Sequence, residues 1–310
     1  MKRVMPDEAA AAVEHCAAVI RDGSRSFALA ARLFDRATLD AAVSLYGWCR
    51  YCDDQIDSVS GGRAALERVE NLRRRTAEAL EGRPQSTPVF IAFQHVTAAY
   101  GVPSHYPREL IEGMAMDARG ERYETLDDLL LYCYRVAGTV GLMMTHVMGV
   151  SDERALAHAA DMGMAMQLTN IARDLVEDHG RGRIYMPLSW LAEAGVPPEE
   201  LAHAGRRREL AALARRLLDA AGGYYRSGDA GLRYLPLRSA CAVAAARRIY
   251  AGIGERVLRR KERAWDSRTY TSGPGKLALV TRGLAQVAAS LPQRVARPWS
   301  ETPIRSVWRF

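Results

Sequence analysis

Apolar positions recur along this chain at three- and four-residue spacing, and strict alternation is almost absent, so the pattern predicts helices nearly throughout. The predicted helices run Asp7 to Arg21, Ser24 to Leu33, Arg36 to Ser58, Arg63 to Glu81, Thr87 to Tyr100 and Pro107 to Arg119. They continue Leu126 to Met148, Asp152 to His179, Leu188 to Ala194, Arg206 to Arg226, Arg238 to Trp265 and Pro274 to Leu291. The breaks carry turn chemistry, such as Gly61-Gly62, Gly82 before Pro84, Gly101 before Pro103, and Gly195 before Pro197-Pro198. Ser24 and Ser151 stand where N-caps belong. No Pro/Ser-rich linker and no internal repeat divides the chain. Residues 1–290 therefore read as one all-α domain, and 291–310, mixing Pro and Arg, as a loosely ordered tail.

Composition narrows the class. Hydrophobic residues make up 48% of the 310 and charged residues 25%, enough for a large core and unlike a disordered chain. The net charge of +7 is a weak nucleic-acid signal, because 40 of the 43 basic residues are Arg and they are spread along the chain; no nucleic-acid partner is expected. Arginine does favour anions such as diphosphates and acidic headgroups. Five cysteines in no framework spacing point to a reducing, cytoplasmic setting, and Cys49-x-x-Cys52 lacks the second pair a zinc site needs. Residues 1–20 contain no uninterrupted apolar run, so no signal peptide is expected. The longest apolar stretch, Val136 to Val150, is interrupted by Thr139, Thr145 and His146 and reads as a buried helix, too short to span a bilayer.

Two acidic clusters stand out against this background. Arg50-Tyr-Cys-Asp53-Asp54-Gln-Ile-Asp57 and Gln167 to Asp178 each set carboxylates four residues apart inside a predicted helix, on one face. In the second, Gln167, Asn170, Asp174 and Asp178 form a polar stripe in a helix that is otherwise apolar around Met162, Met164, Met166, Leu168 and Ile171. One such cluster could be a solvated helix face. Two, each near a helix C-terminus whose dipole disfavours anions, need cations to compensate. Oxygen donors of this kind suit Mg²⁺, which takes one or two carboxylates together with phosphate oxygens and water.

The same residues carry a resemblance. Tyr46-x3-Arg50-x2-Asp53-Asp54-x2-Asp57 and Gln167-x2-Asn170-Ile-x-Arg173-Asp174-x3-Asp178 resemble the two aspartate-rich motifs of the squalene and phytoene synthase family. Tyr132-Cys-Tyr134-Arg-Val-Ala-Gly138-Thr-Val-Gly141 is similar to its tyrosine-glycine helix, and Arg183-Ile-Tyr185, Leu235 to Ser239, Tyr250 and Ala264-Trp-Asp-Ser-Arg268 also match. The likeness runs from about Gly23 to Leu279 and is greatest to bacterial phytoene-forming members.

The resemblance implies an isoprenoid-synthase-type helical bundle around a central cavity. It implies head-to-head joining of two geranylgeranyl diphosphates through prephytoene diphosphate to phytoene, in carotenoid biosynthesis. It implies metal ligands Asp53, Asp57, Asn170, Asp174 and Asp178, with Mg²⁺ or possible Mn²⁺, and diphosphate-facing Arg50, Gln167, Arg173, Arg183, Tyr185 and Arg268. Tyr46, Tyr134 and Tyr250 match cavity tyrosines, with ordinary core packing the plain alternative for each. Phe27 and Ala31 match a cavity-lining helix; the small Ala31 would leave room for a longer prenyl chain. No dinucleotide fingerprint is present, so no nicotinamide cofactor is expected. A hydrocarbon product implies peripheral membrane contact, and other carotenoid enzymes are conceivable partners. Two alternatives stay open. One is a farnesyl-using synthase making dehydrosqualene, presqualene diphosphate or squalene. The other is a non-catalytic scaffold relative, which would be expected to lose the acids this chain keeps.

Overall fold

The computed structural model describes residues 6–23, 25–59, 61–269 and 273–290; for 6, 7, 19–23 and 25–27 it describes the backbone alone. The tail at 291–310 and the N-cap position Ser24 lie outside the described residues. Described residues form thirteen α-helices and no strand. In chain order these are α1 Pro6–Gly23, α2 Arg25–Ala31, α3 Arg36–Asp57, α4 Gly62–Leu80, α5 Pro88–Ala99, α6 His105–Arg119 and α7 Leu126–Cys133. Then come α8 Thr139–Val147, α9 Glu153–Gly180, α10 Leu188–Glu193, α11 Arg207–Gly231, α12 Leu237–Arg260 and α13 Gly273–Ala289.

Three local differences from the pattern reading have physical causes. The predicted run Leu126 to Met148 is α7 and α8 joined by a π-helical turn, Tyr134–Gly138, which changes which residues share a face. The predicted run to Trp265 stops at Arg260, where Lys261 takes φ 51° and a 3₁₀ turn, Lys261–Trp265, follows. The α9 N-cap is Asp152, one residue past Ser151: its carboxylate accepts from the Arg154 backbone N–H.

α9 is the spine. It packs on α8, α11, α12 and the π turn, while α3 packs on α1, α5 and α8. One apolar cluster reaches from Ala12 to Ala264, and within it the Trp48 and Phe93 rings stack at 4.2 Å. The approach of α9 to the α7–α8 rod depends on glycine. A Cβ on Gly141 would fall 2.3 Å from the Ala159 carbonyl oxygen, and one on Gly163 would fall 2.2 Å from that of Ala137. These contacts are backbone, so nothing flexible can yield. Gly163→Ala gains about 1 kcal/mol of helix propensity, yet overpacking of this kind costs about 1–3 kcal/mol or more. A net loss of about 1–2 kcal/mol is expected, read as a lower denaturant midpoint at an unchanged slope.

Candidate active site

The C-terminal half of α3, the stretch of α9 from Ala155 to Asn170 and the middle of the α7–α8 rod help enclose a cavity of about 400 Å³. Its polar wall is built from Arg50, Asp53, Asp117, Tyr132, Gln167 and Asn170, and the rest of its lining is mostly apolar. Tyr46 and Tyr250 also line it, and Ala31 lines it together with Phe34, Met148 and Leu232. The side chain of Phe27 lies outside the described residues.

Arginines hold the two acidic faces. Arg50 bonds Asp53 at 3.0 Å and Asp54 at 2.7 Å. Arg183, in the segment after α9, reaches across to Asp57 on α3 at 2.6 Å. Arg181 bridges Asp57 at 3.4 Å and Glu177 at 3.1 Å. Gly182, at φ 77°, makes the turn that presents both arginines, a backbone value few side chains tolerate. On α9, Arg173 chelates its neighbour Asp174, to which Arg268 adds a longer contact of 3.6 Å. The indole N–H of Trp265 donates to the Ala172 carbonyl at 3.2 Å, tying the Arg268 segment to α9.

Behind these pairs lies a residue the sequence motifs did not single out. Asp117, on α6, accepts the hydroxyls of Tyr132 at 2.9 Å and Tyr185 at 2.8 Å, and those two oxygens lie 3.1 Å apart. The rings of Tyr132 and Tyr185 stack at 4.9 Å. The sequence signal was an Asp in the apolar run Met114-Ala-Met116-Asp117-Ala118, buried unless it had partners. The cavity tyrosine of this rod is Tyr132; Tyr134 is buried but does not line the cavity, which corrects the sequence expectation. Lining positions Tyr132, Val136, Val140, Met144 and Met148 recur every four residues, and a residue two places along cannot share their face.

Burial dominates the electrostatics, with neighbouring negative charge adding to it. Burial, with Asp57 next in effect, pushes the Asp53 carboxyl up to about 6. Burial and then Asp174 push Asp178 up to about 7. Burial also raises Asp117, against the opposing pull of Arg183 and the two tyrosine hydroxyls. Burial and then Asp117 raise Tyr132 and Tyr185, so both remain hydrogen-bond donors. Arg183 holds its proton more tightly than usual: burial opposes its charge, but Asp117, Tyr185 and Asp57 outweigh it.

The donor set fits a hard divalent cation. Every candidate ligand offers oxygen, and the side-chain oxygen of Asn170 is buried with no hydrogen-bond partner. Among the described residues no three His, Cys, Asp or Glu side chains converge on one ion-sized point. The protein alone therefore builds no cage, and ligand oxygens would have to complete each shell, the usual arrangement for Mg²⁺.

A family model described as squalene/phytoene synthase matches residues 20–274. A phytoene synthase of Pseudescherichia vulneris is 45% identical over 91% of this chain and 94% of its own length. A 15-cis-phytoene synthase of Enterobacter agglomerans is 46% identical over 89% of this chain and 95% of its own. Among solved structures, a dehydrosqualene synthase in complex with ligand superposes with a TM-score of 0.83 at 27% identity, covering 91% of this chain and 99% of that one.

Proposed function

The chain belongs to the squalene/phytoene synthase family, and from that premise we propose that it joins two geranylgeranyl diphosphates head to head, through prephytoene diphosphate, to phytoene and two diphosphates. The observation that carries the reading is that Arg50, Asp53, Gln167 and Asn170 of the two clusters line the polar wall of one largely apolar cavity, while Arg183 joins Asp57 of the first cluster to the segment after the second; Asp174 and Asp178 do not line the cavity. Identity near 45% to phytoene synthases, against 27% to a dehydrosqualene synthase, favours the geranylgeranyl donor over farnesyl.

Asp53, Asp57, Asn170, Asp174 and Asp178 would hold Mg²⁺, with Mn²⁺ as a possible substitute. When bound, the metal supplies Lewis-acid stabilisation of the departing diphosphate. The arginines now paired with the acids are the anion's other partners. Arg50, Arg173, Arg183 and Arg268 each offer a planar fork that matches two phosphate oxygens. Gln167 contributes an amide beside them. Loss of diphosphate leaves an allylic cation in a largely apolar cavity. The ring faces of Tyr46, Tyr132 and Tyr250 can stabilise that charge. The second substrate's double bond attacks it, and loss of a proton closes the cyclopropane. Tyr132 donates its own proton to Asp117, which leaves its oxygen lone pairs free to face the cavity. A second ionisation, rearrangement and proton loss complete the hydrocarbon.

Among the described residues no helix is long and apolar enough to cross a membrane. Release of a water-insoluble product calls for peripheral contact with a lipid surface, and exposed Leu237 and Leu277 are apolar groups suited to it. The test is incubation with Mg²⁺ and either farnesyl or geranylgeranyl diphosphate in the presence of lipid, with products resolved by carbon number. A C40 hydrocarbon from the C20 donor is expected; turnover of the C15 donor alone would favour the farnesyl-using branch, and turnover of neither a scaffold.

Ala31 bears on chain length. Its methyl is buried at the cavity wall beside Phe34, Met148 and Leu232, where a phenyl ring would occupy prenyl space. Ala31→Phe is expected to shift the preference from C20 toward C15 donors by about tenfold or more. Competition between the two donors measures this, and an unchanged ratio contradicts it.

A further inference from the structure

At the far end of the cavity from the acids lies a buried polar cluster with no part in the chemistry above. From Asn170 and Gln167 toward the start of α9, the cavity face carries Met166, Gly163, Met162 and Ala159, all apolar or small, and then His158, with only the small Ala155 beyond it on this helix. His158 lies twelve residues before Asn170, about 18 Å along the helix at 1.5 Å per residue. Its side chain leans further toward the helix N-terminus, as helical side chains do. An extended four-unit prenyl chain spans such a distance; a three-unit chain falls short and a five-unit chain overruns it.

The imidazole is fixed in place. His158 is 1% exposed, and its Nδ1 lies 2.8 Å from the Ser227 hydroxyl on α11. Ser227 donates its single proton to Asp161, so the His158 Nδ1–H is the donor to Ser227. The imidazole stacks with Tyr234 at 6.1 Å and 20° between planes. Behind it, a Cβ on Gly231 would fall 2.4 Å from the His158 Cβ, so α11 leaves the residue no room to retreat. Asp161 is fully buried, and burial pushes its carboxyl up to about 7. A leucine or methionine floor would avoid that cost but would change rotamer as different tails pressed on it.

We propose that His158 is the specificity residue that ends the prenyl channel, an imidazole tethered through Ser227 to Asp161 so that the cavity accepts a tail of four isoprene units and refuses a longer one. This rests on the reading of the cavity as a prenyl site. The experiment compares kcat/KM for farnesyl, geranylgeranyl and geranylfarnesyl diphosphate (C15, C20 and C25) with Mg²⁺ and lipid. In His158→Ala the C25:C20 ratio is expected to rise about tenfold or more over wild type, while C20 turnover persists. A folded His158→Ala protein with an unchanged ratio overturns the proposal. Should that variant not fold, Ser227→Ala keeps the ring and cuts the tether. A smaller rise of the same sign supports the proposal, and no change overturns it. Failure of the wild type on all three donors overturns the prenyl reading itself. Wild-type C20 turnover with variant ratios unmoved overturns only the role of His158.

Discussion

Asp57→Ala and Asp174→Ala are each expected to lower turnover on the order of 10²–10³-fold, the scale of losing one preorganised group at a developing charge. The two acids stand on different helices, α3 and α9, and each is held by two arginines. Removing either carboxylate takes an oxygen donor from the metal set and frees guanidinium groups into the space where diphosphate would sit. Asp57 and its partners Arg181 and Arg183 are all partly exposed, so lost pairing should cost only about 1 kcal/mol of stability. A large fall in kcat/KM at a nearly unchanged melting temperature is therefore the signature. If turnover falls only in step with unfolding, the acids are structural. Raising Mg²⁺ should recover part of the activity of these variants if the lesion is metal affinity, and none if the fold is lost.

Asp117→Asn is expected to reduce kcat on the order of 10²-fold, the scale of disturbing proton transfer at a reacting centre, while the fold survives. An amide fills the same volume, but it brings an N–H group into a position where two tyrosine hydroxyls now donate. One hydroxyl must turn round, and a Tyr132 oxygen that accepts from the amide presents a proton, not a lone pair, to the cavity. Stability gives an independent check with a definite sign. Burial raises the folded carboxyl above its unfolded value, so the folded state takes up a proton that the unfolded state does not. Wild type should therefore gain stability relative to Asp117→Asn as pH falls through the folded value toward the unfolded one. The difference in unfolding free energy between the two proteins, followed from pH 8 downward, measures it. A flat difference would mean that Asp117 titrates as an ordinary exposed acid.

Much of this was legible in the sequence because the physics was local. The helices are written in three-four periodicity, and every long helix was predicted to within a few residues at each end except at α11 and α12. α11 runs five residues past the predicted Arg226, and in that extension Gly228 and Gly231 are used for close packing. A Cβ at Gly228 would sit 2.6 Å from the Met162 terminal methyl. The π turn was not legible: nothing in Tyr134 to Gly138 alone demands it. It is tertiary, set where the rod crosses α9 at Ala137 and Gly163. The structure brings Asp53, Gln167 and Asn170 to one cavity wall, leaves the stripe's Asp174 and Asp178 outside that lining, and joins Asp57 to the segment after α9 through Arg183. The resemblance points to Tyr134, but the tyrosine that lines the cavity is Tyr132, four residues before Val136. Asp117 and Arg181 lay outside any spaced motif, and their place follows from which helices pack together.

The central claim is that the acidic ends of α3 and α9 act as one site on two prenyl diphosphates. Its most direct test is a single-turnover quench with Mg²⁺, lipid and geranylgeranyl diphosphate, following diphosphate, cyclopropyl diphosphate and hydrocarbon together. The account predicts that prephytoene diphosphate rises and then decays into a C40 hydrocarbon, with two diphosphates released per hydrocarbon. Diphosphate released with only a C20 alcohol, or no consumption of substrate, would contradict it.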